Sequence, residues 1–249
     1  MSRRDRLVAS RPIPQFKGLD IQTYPEFPTL LLPYLDLAGT AVFATSGALA
    51  AARARQTPLT FAFFALVTGI GGNTLSELLM GVPVTWVHHP TNIVVCLGVA
   101  LVTWTTPLAW WPNNAVDWFD AVGIAAYGAV GAANSLSHNI PPLSAAILGV
   151  FTACLGGVFR DLLAGKPSII IRPELYVTAA ALAAGAYVAL VCNGIEPAAS
   201  AAVAFTMGFG LRALAIVKRL SLPSYRGGGE SKSLGDGIRG NVQNQIASC

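Results

Sequence analysis

Six ionisable side chains stand inside otherwise apolar stretches of this 249-residue sequence: Asp36, Glu77, Asp120, Arg160, Asp161 and Arg212. A charge held at membrane depth costs about 2.5 to 3.5 kcal/mol on an insertion scale unless it is paired or hydrated, so such residues face the protein interior or water. Two kinds of chemistry follow: structural or gating ion pairs, and carboxylates that make a water-filled path attractive to cations. Arg212, within GFGLRALAIV, stands out most and is read as half of a structural or gating pair. Arg160 and Asp161 are neighbours in sequence and are expected not to pair along one helix face, so each is expected to find its partner elsewhere.

Two glycine pairs precede these charges. The segments VTGIGGNTLSELLMGVP and FTACLGGVFRDLLAGKP carry Gly71 and Gly72 in the first and Gly156 and Gly157 in the second, and Glu77 stands where the second has Asp161. Glycines in a membrane helix can simply admit close packing. Paired at corresponding places, they are expected to mark bends whose carbonyls face a water-filled path.

Nothing in the sequence proposes an enzyme. HExxH is absent, no glycine cluster has a phosphate-loop context, and no Ser, His and acidic residues form a sequence-defined triad. The four cysteines, at 96, 154, 192 and 249, lack the close spacing of a metal or redox motif, and His88, His89 and His138 have no visible co-ligands. Neither a metal site nor a cofactor is expected.

The elements that must position these residues are helices. Charged residues make up only 11% of the chain, hydrophobic residues 53%, and the mean hydropathy is +0.57. A water-soluble surface cannot be built from that composition. Seven apolar stretches, at 34–52, 58–80, 91–110, 118–136, 142–164, 174–192 and 197–217, are each long enough to cross a hydrocarbon core of about 30 Å as a helix. Proline-punctuated connections separate them. Basic residues cluster at the two ends without interleaved aromatics, so no nucleic-acid partner is expected.

Residues 36–83 match residues 120–167 without a gap at a constant offset of 84: Asp36 with Asp120, Gly39 with Gly123, Gly47 with Gly131, Pro58 with Pro142, Gly72 with Gly156, Gly81 with Gly165 and Pro83 with Pro167. Three crossings per copy turn the second copy upside down. The predicted fold is therefore all-α and polytopic: seven transmembrane helices, built as a three-plus-three inverted repeat with an added seventh helix. The expected domains are a leader at 1–33, a seven-helix body at 34–217 with repeats at about 34–110 and 118–192 and the seventh helix at 197–217, and a disordered cytoplasmic tail at 218–249.

Arg53, Arg55, Lys166, Arg172, Lys218 and Arg219 fall on one side of this topology. The positive-inside rule places that side, with the C-terminus, in the cytoplasm and the N-terminus outside. Asp120, Arg160, Asp161 and Arg212 then lie toward the cytoplasmic end, and Asp36 and Glu77 toward the outer end. The expected location is the cell inner membrane or plasma membrane, as a multi-pass protein with membrane lipids as partners.

With GTAVFATSGALAA in the first repeat, IGGNTLSELLMGVP after it and LGGVFRDLLAGKPSIIIRPELY in the second, the chain resembles the prokaryotic branch of the trimeric intracellular cation channel family over residues 34–217. The resemblance implies a homotrimer whose protomers each hold a potassium-permeable pore lined by bent second and fifth helices. It places Gly71, Gly72, Gly156 and Gly157 at the bends and Arg160 and Asp161 beside one of them. The sequence departs from the family pattern at Asn73, Ser76 and Glu77 in the first copy and at Leu155 in the second. The expected function is a monovalent cation channel conducting mainly potassium, the ion being permeant and not a resident cofactor. The alternative is a secondary transporter for a small metabolite, using inverted-repeat alternating access; a non-conducting scaffold is a third class.

Overall fold

The computed structural model describes residues 31–165 and 175–218, and these are helical throughout apart from turns. The leader up to residue 30, Lys166 and Arg172 in the connection at 166–174, and the tail from Arg219 onward lie outside the described residues. In chain order the helices are α1 (Leu31–Arg53), α2 (Pro58–Met80), the single turn α3 (Thr85–His88), α4 (Thr91–Thr105), α5 (Ala115–Ser137), α6 (Pro142–Leu163), α7 (Tyr176–Cys192) and α8 (Pro197–Lys218).

Local sequence sets these limits. Pro58 opens α2 and Pro142 opens α6, each at the position where a missing N–H costs nothing. Both helices run into a left-handed glycine, Gly81 at φ 71° and Gly165 at φ 63°. Arg55 and Asn139, which precede α2 and α6, also have positive φ, 52° and 58°. These turn residues are 84 positions apart, like the sequence matches. The third expected span reached residue 110, but α4 stops at Thr105 because Pro107 denies a donor and pushes Thr106 into an extended conformation; a 3-10 turn at Leu108–Trp110 follows. Helix α3 was not expected at all.

Four of the described helices are long and apolar enough to cross a membrane: Pro33–Arg53, Pro58–Met80, Pro142–Leu163 and Pro197–Lys218. Helices α4 and α7 are shorter and apolar. Helix α5 is as long as α2 at 23 residues but carries Asp117 and Asp120, and it is the most enclosed, touching α1, α6, α7 and α8. Helices α1, α2 and α4 pack on one another, as do α5, α6 and α7, and the two groups meet where α1 lies on α5 and α2 on α6. Small residues make the fit. Without a hydrophobic force between lipid-immersed helices, close backbone approach supplies the attraction, and Ala44, Ala48, Ala121, Ala125, Ala132 and Ala183 are sealed from solvent.

Candidate functional site

The two groups meet along a seam of reciprocal contacts. Phe43 on α1 and Tyr127 on α5 stack with centroids 5.4 Å apart and planes 12° apart. A methyl group on Gly39 would come within 3.2 Å of the Tyr127 ring, and one on Gly123 within 2.9 Å of the Phe43 ring. Where α2 crosses α6 the pattern repeats. A methyl on Gly72 would strike the Thr152 carbonyl oxygen, and one on Gly156 would come within 2.6 Å of the Thr68 carbonyl oxygen. Ser76 Oγ and Thr152 Oγ1 hydrogen-bond across this crossing at 2.6 Å.

In this structure the glycine pairs admit close approach between helices. Helices α2 and α6 run through Gly71, Gly72, Gly156 and Gly157 without interruption. Gly72 and Gly156 admit the opposite backbone, Gly71 admits the Phe159 ring, and Gly157 admits the Tyr176 hydroxyl.

At one end of the seam lies a sealed charge cluster. Arg160 is 2% exposed and Asp120 fully buried, and Arg160 Nη1 donates to Asp120 Oδ1 at 2.8 Å and to Ser46 Oγ at 2.6 Å. The same guanidinium also folds back on its neighbour: Nε donates to Asp161 Oδ1 at 3.0 Å, and Nη2 lies 2.9 Å from that oxygen. This corrects the expectation that Arg160 and Asp161 do not pair. The spacing rule concerns side chains extended along a helix face, whereas the guanidinium fork can engage two carboxylates at once. Arg212, 1% exposed, places its guanidinium carbon 5.4 Å from the Tyr176 ring centroid, a cation–π contact, and lies within electrostatic reach of Asp120. One cluster thus joins α1, α5, α6, α7 and α8.

At the other end Asp36, Asn73, Glu77 and Asn92 line an open cavity of about 420 Å³ with His89 and Asn134. Asn73 Nδ2 donates to Asp36 Oδ1 at 2.5 Å and Asn92 Nδ2 to Asp36 Oδ2 at 2.8 Å. Behind them Thr40 Oγ1 and Tyr127 Oη hydrogen-bond at 2.7 Å, and Tyr127 Oη donates to the Asp36 carbonyl at 3.2 Å. Glu77 accepts from the Thr85 backbone N–H at 3.0 Å and from the Thr85 hydroxyl, while Trp86 Nε1 donates to Thr74 Oγ1 at 2.8 Å. These bonds lay α3 back over α2. Among the described residues no Lys or Arg lines this cavity, and no group of three or more His, Cys, Asp and Glu could hold a metal.

The structure thus places Asp120, Arg160, Asp161 and Arg212 together at one end and Asp36 and Glu77 at the other, with the Gly72–Gly156 crossing between them. Sequence reasoning missed Ser46, Tyr127, Tyr176 and Asn92. Asn92 was the most accessible of these, as an amide beside His88 and His89 at the start of an apolar helix.

A family model described as glycine transporter matches residues 33–107 and again 117–191, two copies 84 residues apart. The chain is 36% identical over 155 residues to inner membrane protein YadS of Escherichia coli (strain K12), covering 60% of this chain and 74% of YadS. It is 34% identical over 204 residues to a membrane protein of Vibrio cholerae serotype O1, covering 79% of this chain and 84% of the relative. Among solved structures, it superposes on a trimeric intracellular cation channel orthologue from Rhodobacter sphaeroides with a TM-score of 0.73 at 37% identity, covering 76% of this chain and 99% of that one. A second structure, from work on conductance through these cation channels, gives a TM-score of 0.70 at 25% identity over 80% of this chain and 98% of that one.

Proposed function

The chain belongs to the prokaryotic branch of the trimeric intracellular cation channel family, and from that premise we propose that it is a cation channel conducting mainly potassium through a pore in each protomer of a homotrimer. The observation that carries this reading is the contrast between the two ends of one seam. Asp36 and Glu77 face an open cavity with no Lys or Arg in its described wall, while Asp120 and Asp161 are locked to Arg160 in a sealed cluster. A carboxylate-lined mouth concentrates cations and repels anions. The buried cluster and the Gly72–Gly156 crossing would hold the path shut, and conduction requires α2 and α6 to part there.

In this reading the membrane is crossed seven times, with α1, α2 and α4 forming one inverted copy, α5, α6 and α7 the other, and α8 added. The reciprocal glycine contacts and the twofold match of the family model support it. The Asp36 cavity faces outside and the Arg160 cluster lies toward the cytoplasm. Gly71, Gly72, Gly156 and Gly157 become bends when the path opens. The polypeptide reads as a body at 34–217 between an outer leader and a cytoplasmic tail, with membrane lipids around it and no resident cofactor.

The description of the family model favours one other reading, a carrier for a small amino acid. Proteoliposomes loaded with KCl separate the two. A channel releases potassium as soon as a permeant counter-charge pathway is supplied, without any solute. A carrier instead accelerates labelled glycine uptake when unlabelled glycine is trapped inside.

A further inference from the structure

We propose that Arg160 is a two-position latch and that the Thr68 hydroxyl is its second seat: in the closed seam the guanidinium holds Ser46 and Asp120, and when α2 and α6 part it swings onto Thr68. The latch deepens the channel reading and rests on it for what opening achieves.

The observation behind it is a break in the repeat. Thr68, Gly72 and Ser76 form one stripe on α2, and their counterparts 84 residues on, Thr152, Gly156 and Arg160, form the same stripe on α6. The stripes face each other, with Gly72 against the Thr152 carbonyl and Gly156 against the Thr68 carbonyl. The two hydroxyls sit alike as well. A methyl on Gly47 would come within 2.6 Å of Thr68 Oγ1, and one on its counterpart Gly131 within 2.7 Å of Thr152 Oγ1. Thr152 Oγ1 bonds Ser76 Oγ at 2.6 Å and donates to the Leu148 carbonyl at 2.8 Å. By the same symmetry Thr68 should bond the side chain at position 160, but it does not. Thr68 is 1% exposed, and its Oγ1 has no hydrogen-bond partner among the described residues.

Burying a hydroxyl without a partner opposes folding, and here its cause is identifiable. A serine fits between backbones this close and an arginine does not, so the Arg160 guanidinium lies aside against Asp120 and Ser46. Ser46 is the chain neighbour of Gly47, on which the Thr68 hydroxyl rests, so the present seat and the second one adjoin. Asp161 belongs to α6 and travels with Arg160, whereas Ser46 and Asp120 belong to α1 and α5. Parting of the crossing makes room for the guanidinium, whose long stem then spans a gap that Ser76 and Thr152 cannot. The move releases the Asp120 carboxylate at this end of the seam, as Asp36 stands without a guanidinium at the other. Ser76 has neither the reach nor the charge, so the latch exists at one end only.

The test moves a carboxylate from the first seat to the second. Full-length protein carrying Asp120→Asn together with Thr68→Asp is compared with each single variant by thermal unfolding in detergent. The double variant is expected to unfold about 4 °C or more above Thr68→Asp alone, a coupling that residues sharing a partner show. Asp120→Asn with Thr152→Asp, the counterpart position beside Ser76, should give no such rise. If a single variant does not fold, recovery of folded protein in the double variant is the same result. No rise, failure of the double variant to fold, or an equal rise with Thr152→Asp overturns the latch. In bilayers Thr68→Val is expected to open about threefold less often or fewer still, as loss of one hydrogen bond shifts a two-state equilibrium, and Thr68→Ser to open like the parent. Undiminished opening of Thr68→Val also overturns the latch. Current without the thermal coupling would sink the latch and leave the channel standing, and coupling in a protein that passes no current would do the reverse.

Discussion

Arg160 on α6 donates to Asp120 on α5 at 2.8 Å, with the side chains 2% and 0% exposed, and the same guanidinium holds Asp161 and Ser46. Breaking a buried pair by removing one partner leaves the other charged and unsolvated, which costs about 3 to 5 kcal/mol. Arg160→Ala is therefore expected to lower thermal stability in detergent by about that much, read as a loss of the folded, monodisperse peak on size exclusion after heating. Arg160→Lys should recover only part of it, because a single ammonium cannot reproduce a fork that engages Ser46 and two carboxylates.

Asp120→Asn keeps the shape of the cluster while removing the charge that holds Arg160. The expected outcome is a smaller stability loss than that of Arg160→Ala, together with more frequent opening in single-channel records. Unchanged open probability in a stable Asp120→Asn protein would remove the cluster from the gate and leave it a structural ion pair.

The helix crossing allows a matched comparison. Gly72→Ala and Gly156→Ala each drive a methyl group into the opposite carbonyl, so each should cost about 1 to 3 kcal/mol through overpacking. Gly98→Ala and Gly185→Ala meet nothing within 4 Å in the protomer, and should change the unfolding temperature little. Equal effects from both sets would mean that the crossing is not the tight contact described.

Tyr176 faces two ways, with its ring beneath Arg212 and its hydroxyl against the space left by Gly157. Tyr176→Phe keeps the ring and is expected to retain most stability. Tyr176→Leu removes the cation–π contact and should cost about 2 kcal/mol in so desolvated a place. Thermal unfolding of the two variants side by side checks the difference.

Much of this arrangement could be read from residue types, and the reasons are physical. Arg160, Asp161, Asp120 and Arg212 are conspicuous because a charge inside an apolar stretch demands a partner or water, and the repeat told which end of the helices each occupies. Pro58, Pro142, Gly81 and Gly165 marked helix limits because their backbone restrictions are local. What escaped was set by three-dimensional approach. Ser46, Tyr127 and Tyr176 are unremarkable in an apolar sequence until a charged neighbour from another helix reaches them. The Arg160–Asp161 bond escaped because sequence spacing ignores the reach of a guanidinium. Helix α3 depends on Glu77, eight residues before Thr85, bending the connection back. The role of Gly72 and Gly156 at the crossing depends on which backbone lies opposite, which spacing alone does not give.

The central claim is that the protein is a cation-conducting pore, and planar-bilayer recording under asymmetric KCl tests it most directly. Purified protein is expected to give discrete current steps that reverse near the potassium equilibrium potential, absent from protein-free bilayers, with unitary conductance at low salt reduced by Asp36→Asn and the reduction fading at high salt as screening grows. Silence from protein shown to be folded and inserted, accompanied by saturable glycine counterflow in the same preparation, would contradict the channel and establish a carrier in its place.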